Sequence, residues 1–164
     1  MNDPKSPMSA AATTAHDHDH CIDDAMARAE ALCAKRGSRF TDLRRNVLQL
    51  IWADHKAVKA YDLIDRLSEK ENSSVKPPTV YRALDFLMEH GLVHKVESLN
   101  AYIGCPHPDE SHLSQFLICD ACEDVQELSV PGASEALLGA AQAKDFSVKK
   151  QTVEVHGVCG KCSG

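Results

Sequence analysis

The sequence lacks the features of membrane and secreted proteins. No apolar run approaches the roughly 20 residues that a membrane-spanning helix needs, and the polar N-terminus has no apolar signal-peptide core. Hydrophobic residues make up 43% of the 164 residues, which is enough for one good core or two small domains. We therefore expect a cytoplasmic globular protein that does not associate with a membrane.

The residue patterns of metal-dependent hydrolysis and deamination are also missing. Neither H-E-x-x-H nor H-x-E combined with P-C-x-x-C occurs, so no candidate metal ligand is paired with a general base. We therefore expect no enzymatic activity and no small-molecule substrate. A zinc-dependent hydrolase or deaminase is the alternative from another class, and a screen of substrates would detect it.

Positive charge is scarce overall but is concentrated in one segment. The net charge is −6. Residues 25–96 carry thirteen Lys and Arg against nine Asp and Glu, which gives +4. Residues 1–24 carry one Lys and five Asp, which gives −4, and residues 97–164 carry four Lys and ten Asp and Glu, which gives −6. The central segment is therefore the candidate for contacts with nucleic acid phosphates.

One stretch of that segment, residues 77–87, has the pattern of a DNA-recognition helix. Two leading prolines suit the first turn of a helix, and Gly91 is a suitable stop. Three apolar residues at i, i+4 and i+7 form one buried stripe: Val80, Leu84 and Leu87. The polar front near the start of the helix carries Thr79, Tyr81 and Arg82. In the major groove an arginine at such a position can form two hydrogen bonds to one guanine base. An ordinary amphipathic helix with a solvated front is the alternative interpretation.

The flanking patterns complete a winged helix-turn-helix domain over residues 23–105. Helical periodicity predicts a first helix from about Asp23 to Lys35, and Thr41 is a good N-cap for a second. A third helix covers about residues 60–70, with Tyr61 at its start. After the recognition helix, two short strands over residues 92–96 and 101–105 are predicted to form a hairpin.

A second, smaller α+β unit is predicted over residues 113–164. Two prolines and several polar residues mark residues 106–112 as a linker. Short strands over 116–119 and 125–128, a helix over 132–144 and a final strand over 146–156 follow. The fold class is therefore α+β, with a winged helix-turn-helix domain before a small second domain.

Residues 1–22 form a His- and Asp-rich segment that we predict to be a disordered tail. The run from His16 to Cys21 can bind a metal ion weakly in solution. A flexible tail with incidental histidines is the alternative interpretation.

The seven cysteines include two CxxC pairs, which are the strongest signal in the sequence. The pairs are Cys119–Cys122 and Cys159–Cys162. Two such turns supply a closed tetrahedral site of four sulfurs, which is typical of structural Zn(II). An odd cysteine count in a chain without secretory features disfavours a disulfide framework. A redox switch that uses the CxxC pairs is the alternative, and zinc content under reducing conditions separates the two.

Four further donors can form a second tetrahedral site. They are His94, Cys105, His112 and Glu127. Their side chains offer two nitrogen ligands, one sulfur and one oxygen, a set that suits Zn(II). Taken singly, each has an ordinary explanation as a surface histidine, a buried cysteine or an exposed glutamate.

With these residues named, the chain resembles the ferric uptake regulator superfamily, and most closely its zinc uptake regulator branch. The resemblance covers about residues 25–162. The stretches that carry it, besides the two CxxC pairs, are Arg39–Arg44, Ala60–Leu63, Lys76–Leu87 and Gly91–Ser98. It implies a homodimeric winged-helix repressor of zinc uptake genes, with a C-terminal dimerisation domain and a pseudo-palindromic double-stranded DNA operator.

The resemblance also implies roles for single residues and two Zn(II) ions per chain. The structural ion would be held by Cys119, Cys122, Cys159 and Cys162, and the regulatory ion by His94, Cys105, His112 and Glu127. DNA contacts would centre on Tyr61, Tyr81 and Arg82. His107 is an alternative to His112, because the linker length varies in the family.

An iron- or peroxide-sensing member of the same superfamily is the alternative function. The iron-sensing branch typically has a histidine-rich run just before the first CxxC pair, where this chain has Leu113–Phe116. A cysteine replaces part of that donor set, and a thiolate suits Zn(II) better than Fe(II).

Overall fold

The computed structural model describes residues 18–54, 56–110 and 113–164. In the first part of the chain the elements are α1 (His18–Lys35), α2 (Asp42–Ala53), β1 (Val58–Lys59), α3 (Ala60–Glu71), α4 (Pro77–Glu89), β2 (Val93–Val96) and β3 (Ala101–Gly104). In the second part they are β4 (Gln115–Cys119), β5 (Val125–Leu128), α5 (Ala133–Gln142) and β6 (Val153–Gly157). The α+β fold class predicted from the sequence is confirmed.

Local signals set the ends of the helices in the first domain. The Thr41 side chain caps α2 by accepting the backbone N–H of Arg44 at 3.5 Å. Helix α4 starts with two prolines, whose missing N–H groups cost nothing in a first turn. Gly91 follows α4 with a φ of +71°, a conformation that favours glycine and turns the chain into β2.

The predicted apolar stripes meet in one core. Val80, Leu84 and Leu87 on the back of α4 are completely buried. They pack with residues of α2 and α3 that are also fully buried: Val47, Leu48, Ile51, Leu63 and Leu67. The recognition helix is therefore held by its apolar back, and its polar front stays at the surface.

Each domain has one three-stranded sheet. In the first, β3 lies between β1 and β2, and all neighbours are antiparallel. We call the β2–β3 hairpin, residues 93–104, the wing. In the second sheet, β4 lies between β5, which is antiparallel to it, and β6, which is parallel. None of the helices in the described ranges combines the length and apolar content that a membrane span needs.

Three elements differ from the sequence predictions. Helix α1 begins at His18 rather than near residue 23, and residues 1–17, most of the predicted tail, lie outside the described residues. Strand β6 begins at Val153, so the predicted strand over 146–156 is wrong for residues 146–152. The reason is that its partner β4 is only five residues long. Strand β1 was not predicted, because a two-residue strand exists only through its pairing with β3.

Candidate functional site

The two CxxC turns lie at one end of the second sheet. Cys119 ends β4, and Cys159 follows β6 by two residues. Because β4 and β6 are parallel, with Cys119 paired to Gly157, both strands deliver their turns to the same end of the sheet. The structure thus brings together the four predicted sulfur donors: Cys119, Cys122, Cys159 and Cys162.

The spacing of these four sulfurs suits a tetrahedral metal ion. All four lie within 4.8 Å of one another, and the Sγ atoms of Cys122 and Cys159 are 3.9 Å apart. A zinc ion with Zn–S bonds of about 2.3 Å needs an S···S edge of roughly 3.8 Å. A disulfide needs about 2.05 Å, so the four thiols form a donor set and not two disulfides.

The thiols of this cluster differ in acidity. Backbone N–H groups of Cys159 and Cys122 point at the Cys119 sulfur and lower its pKa to about 6; the Cys159 N–H lies 3.3 Å from it. Hydrogen bonds to the sulfurs of Cys159 and Cys122 raise the pKa of Cys162 to about 12. Cys119 is therefore the thiol that loses its proton most readily, and protons leave the cluster as an ion is bound.

A second donor group lies between the two domains. His94 is in β2, Cys105 directly follows β3, and Glu127 is in β5 of the second sheet. Their ligand atoms lie within 4.8 Å of one another, and His94 Nε2 is 3.3 Å from Glu127 Oε1. Zinc bonds of 2.0–2.1 Å to nitrogen and oxygen imply an edge of about 3.3 Å. Three of the four predicted donors thus converge from opposite sides of the linker.

The predicted fourth donor, His112, lies outside the described residues. His107, its alternative, is exposed and does not belong to the three-residue group. One polar side chain that the sequence did not single out lies in the site: the Ser114 hydroxyl donates to Glu127 Oε1 at 2.9 Å and lies 3.0 Å from His94 Nε2. Such a hydroxyl orients both ligands, but a serine before a strand has no distinctive sequence signal.

Burial controls the acidity of the Cys105 thiol in the second donor group. Cys105 is 3% exposed, and burial raises its pKa to about 12, with a further contribution from the Glu127 charge. The thiol is therefore protonated at neutral pH without a metal. Binding an ion there must release a proton, so metal affinity at this site depends on pH.

A close contact links this donor group to the helix-turn-helix. Gly104 precedes Cys105, and the Trp52 indole from α2 lies directly against it, so that a Cβ at position 104 would overlap the ring. Trp52, Gly104 and Glu127 line one cavity of about 190 Å³. Helix α2 is thus packed against the backbone that carries Cys105. No pattern along the sequence marks the contact of Trp52 with Gly104.

The four predicted DNA contacts lie at the surface of the helix-turn-helix. Tyr61 at the start of α3 is 58% exposed and Tyr81 in α4 is 47% exposed. Thr79 and Arg82 are exposed on the first two turns of α4. Large exposed aromatic side chains beside an arginine are suited to contacts with DNA rather than to a core.

The sequence and the structure match known proteins over most of the chain. Residues 35–156 match the Ferric uptake regulator family. The "Zinc uptake regulation protein" of Escherichia coli (strain K12) is 44% identical over 138 residues, which cover 84% of this chain and 80% of that protein. A "Zinc Uptake Regulator Complexed With Zinc AND DNA" superposes with a TM-score of 0.82 at 43% identity, covering 87% of this chain and 95% of the other.

Two solved forms of another relative, XcZur, differ in how well they superpose. The holo form gives a TM-score of 0.78 at 47% identity, covering 84% of this chain and 96% of that one. The apo form gives 0.53 at 44% identity, covering 88% and 99%. Because the sequences are nearly equally similar, the lower score reflects a different arrangement of the same parts. The arrangement described above superposes better on the holo form than on the apo form.

Proposed function

The chain belongs to the ferric uptake regulator family, and on this premise we propose that it is a zinc-responsive transcriptional repressor of zinc uptake genes. It acts as a homodimer on double-stranded operator DNA. Support comes from the zinc uptake regulators that it resembles in sequence and structure, one of them in complex with zinc and DNA.

We infer that each chain binds two Zn(II) ions with different roles. The structural ion uses Cys119, Cys122, Cys159 and Cys162, all within the second domain. The regulatory ion uses His94, Cys105 and Glu127, with His112 as the fourth ligand inferred from the sequence. Zn(II) held by these side chains would supply the positive charge that draws the donors of each group together.

The observation that carries this function is the convergence of His94 in the wing and Cys105 directly after it with Glu127 from the second sheet. These side chains come from different sides of the linker over residues 106–112. Ligands that must meet around one ion hold the wing against the second sheet. The relative orientation of the two domains, 23–105 and 113–164, is then fixed rather than variable.

Fixing that orientation positions the recognition helices. Helix α4 runs through Gly91 directly into β2, which carries His94. In a dimer joined through the second domains, the separation of the two α4 helices follows from the angle between the domains. A pseudo-palindromic operator with half-sites about one helical turn apart needs one particular separation. Zinc thus acts as a corepressor by favouring that geometry, with a coupling typically of about 5–150-fold in affinity.

At each half-site the exposed front of α4 enters the major groove. Arg82 is suited to a fork to guanine, while Thr79, Tyr81 and Tyr61 contact the backbone or base edges. Thr79, Tyr81 and Arg82 all lie on the first two turns of α4, the part of a recognition helix that contacts base edges.

The donor chemistry favours zinc over the iron- or peroxide-sensing alternative. Cys105 places a thiolate in the regulatory set, and thiolates select Zn(II) over Fe(II), which is served by imidazole and carboxylate ligands. DNA binding supported by Fe(II) but not by buffered Zn(II) would favour the alternative.

The test is DNA binding at controlled free zinc. A DNA fragment is selected by the zinc-loaded protein from a random-sequence pool, and its affinity is measured while free Zn(II) is buffered over several decades. We expect tight binding only above a threshold of free zinc. Arg82→Ala is the control, because it should weaken binding at every zinc concentration. DNA affinity of the unaltered chain that is independent of free zinc would contradict the proposed function.

A further inference from the structure

The tip of the wing is attached to the second sheet at a place away from the metal donors. Residues 97–100 form the turn between β2 and β3, closed by the Asn100 N–H donating to the Glu97 carbonyl at 3.1 Å. Glu154 of β6 reaches this turn with both carboxylate oxygens. The Glu97 N–H donates to Oε1 at 2.6 Å, and the Ser98 N–H donates to Oε2 at 3.0 Å.

These two hydrogen bonds are strong for their kind. The acceptor is a charged carboxylate, and a hydrogen bond to a charged acceptor is about twice as strong as one between neutral groups. Although partial burial opposes its ionisation, the hydrogen bonds from Ser98 and Glu97 lower the pKa of Glu154. Lys150 also pairs with the Glu97 carboxylate, but Lys150 is 72% exposed, so that this pair contributes little by itself.

Apolar side chains of the wing and the second sheet form a small core beneath this contact. Val96, Phe116, Ile118 and Val125 are buried together, and Leu99 and Ile103 of the wing pack against them. The wing is therefore seated on one face of the second sheet.

Glu154 and the metal donor Glu127 lie in the same row of that face. Phe116 in the central strand pairs with Glu127 on one side and with Glu154 on the other. Paired residues of neighbouring strands point to the same face, and two strand spacings separate the two carboxylates by about 10 Å. The three residue steps from His94 in β2 to Glu97, just beyond its end, also span about 10 Å. The sheet thus contacts the wing at two points: Glu127 lies beside His94, and Glu154 binds the wing tip.

We propose that Glu154 is a positioning residue for zinc binding, because it fixes the wing tip and thereby holds His94 and Cys105 close to Glu127. The inference deepens the proposed function and rests on it. In the chain without regulatory zinc the wing is closed for part of the time, and Glu154 increases the closed fraction, in which the donor set is assembled. Without Glu154 part of the binding free energy is spent on closing the wing onto the sheet, and the apparent affinity falls.

The attachment can be measured without a metal at the regulatory site. Hydrogen exchange of the Glu97 and Ser98 amides is followed in chains that keep only the structural zinc. We expect partial protection in the unaltered chain and exchange about twofold faster or more in Glu154→Ala, since the open state exposes both amides. Equal exchange rates would overturn the proposal.

The second measurement is zinc affinity at the regulatory site by chelator competition. We expect Glu154→Ala to weaken it about fivefold or more and Glu154→Gln, which keeps one acceptor oxygen, to weaken it less. Glu135→Gln, an exposed charge change in α5, is the matched control and should have no effect. Retention of the structural zinc and of the dimer shows that each variant is folded.

The possible results distinguish a failure of the role proposed for Glu154 from a failure of the proposed repressor function. Unchanged zinc affinity in folded Glu154→Ala would overturn the positioning role even if DNA binding responds to zinc. DNA binding that ignores zinc in the unaltered chain would contradict the repressor function, while chelator competition and hydrogen exchange still decide the role of Glu154.

Discussion

The two donor groups of this chain differ in what their ligands connect. The four cysteines of the first group come from two turns at one end of a single sheet. The second group takes His94 and Cys105 from the first domain, in the wing and directly after it, and Glu127 from the other domain. An ion in the first group can only stabilise one domain, whereas an ion in the second sets the angle between two. What distinguishes a structural site from a regulatory site here is whether its ligands come from one domain or from two, more than the number of ligands.

The largest effect is expected when the structural group is broken. Cys119→Ser removes the most acidic thiol of a cluster whose metal contributes on the order of 10 kcal/mol in small zinc-dependent units. We expect unfolding of residues 113–164, loss of the dimer and loss of both zinc ions, because the regulatory group takes Glu127 from this domain. Metal analysis and size-exclusion chromatography would measure this.

Cys21→Ser is the matched control for that change, because Cys21 lies in α1 outside both donor groups. It should keep two ions and the dimer. A folded, dimeric Cys119→Ser chain that still holds two zinc ions would remove the distinction between the groups.

Breaking the second group should leave the fold intact. His94→Ala and Cys105→Ser each remove a ligand of the interdomain site, so we expect one bound zinc instead of two. DNA affinity at saturating zinc should fall about 5–150-fold, the usual range of such coupling. Metal analysis and DNA binding measure the two effects, with the exposed His20 changed to alanine as control. Variants that still respond to zinc like the unaltered chain would refute the assignment.

The pH dependence of zinc binding should also distinguish the groups. Since burial holds the pKa of Cys105 at about 12, its proton leaves only when the metal binds. Affinity at the regulatory site is therefore expected to increase with pH, by about tenfold per unit between pH 7 and 9 for one released proton. Chelator competition at several pH values measures this slope.

Cys105→His provides the comparison, because burial favours the neutral form of imidazole, which binds zinc without releasing a proton. Its zinc affinity should be lower and nearly independent of pH. An equally steep slope in this variant would show that the proton comes from another group.

The smallest effect is expected from the contact that joins the second group to α2. Gly104→Ala forces a Cβ against the Trp52 ring, and such overpacking typically costs about 1–3 kcal/mol in the free energy of unfolding. Denaturant unfolding measures it. Gly139→Ala is the control, since nothing lies within 4 Å of a Cβ there and alanine favours a helix. If Gly104→Ala is as stable as the unaltered chain, the Trp52 ring can move away from position 104 without a cost in stability.

Features with a local cause could be predicted from the sequence. The Thr41 cap, the Gly91 turn and the apolar back of α4 each depend on residues within one helix or its ends. The CxxC turns were equally clear, since their spacing of two residues is itself the signal.

Features that depend on packing between distant segments could not be predicted. Strand β1 exists only through its pairing with β3, and the final strand was predicted too long because the length of β4 was unknown. The contacts of Ser114 with Glu127 and of Glu154 with the wing join residues 13 to 57 positions apart. No pattern along the chain marks such pairs.

The most direct test of the regulatory site is the distance between the two recognition helices of the dimer. A spin-labelled unnatural amino acid at the exposed position Glu89 of α4 avoids the native cysteines and reports this distance by pulsed electron resonance. We expect a broad distribution when only the structural zinc is bound and a narrow one when free zinc is raised, with His94→Ala remaining broad. The same distribution with and without regulatory zinc would contradict the claim that zinc fixes the separation of the helices.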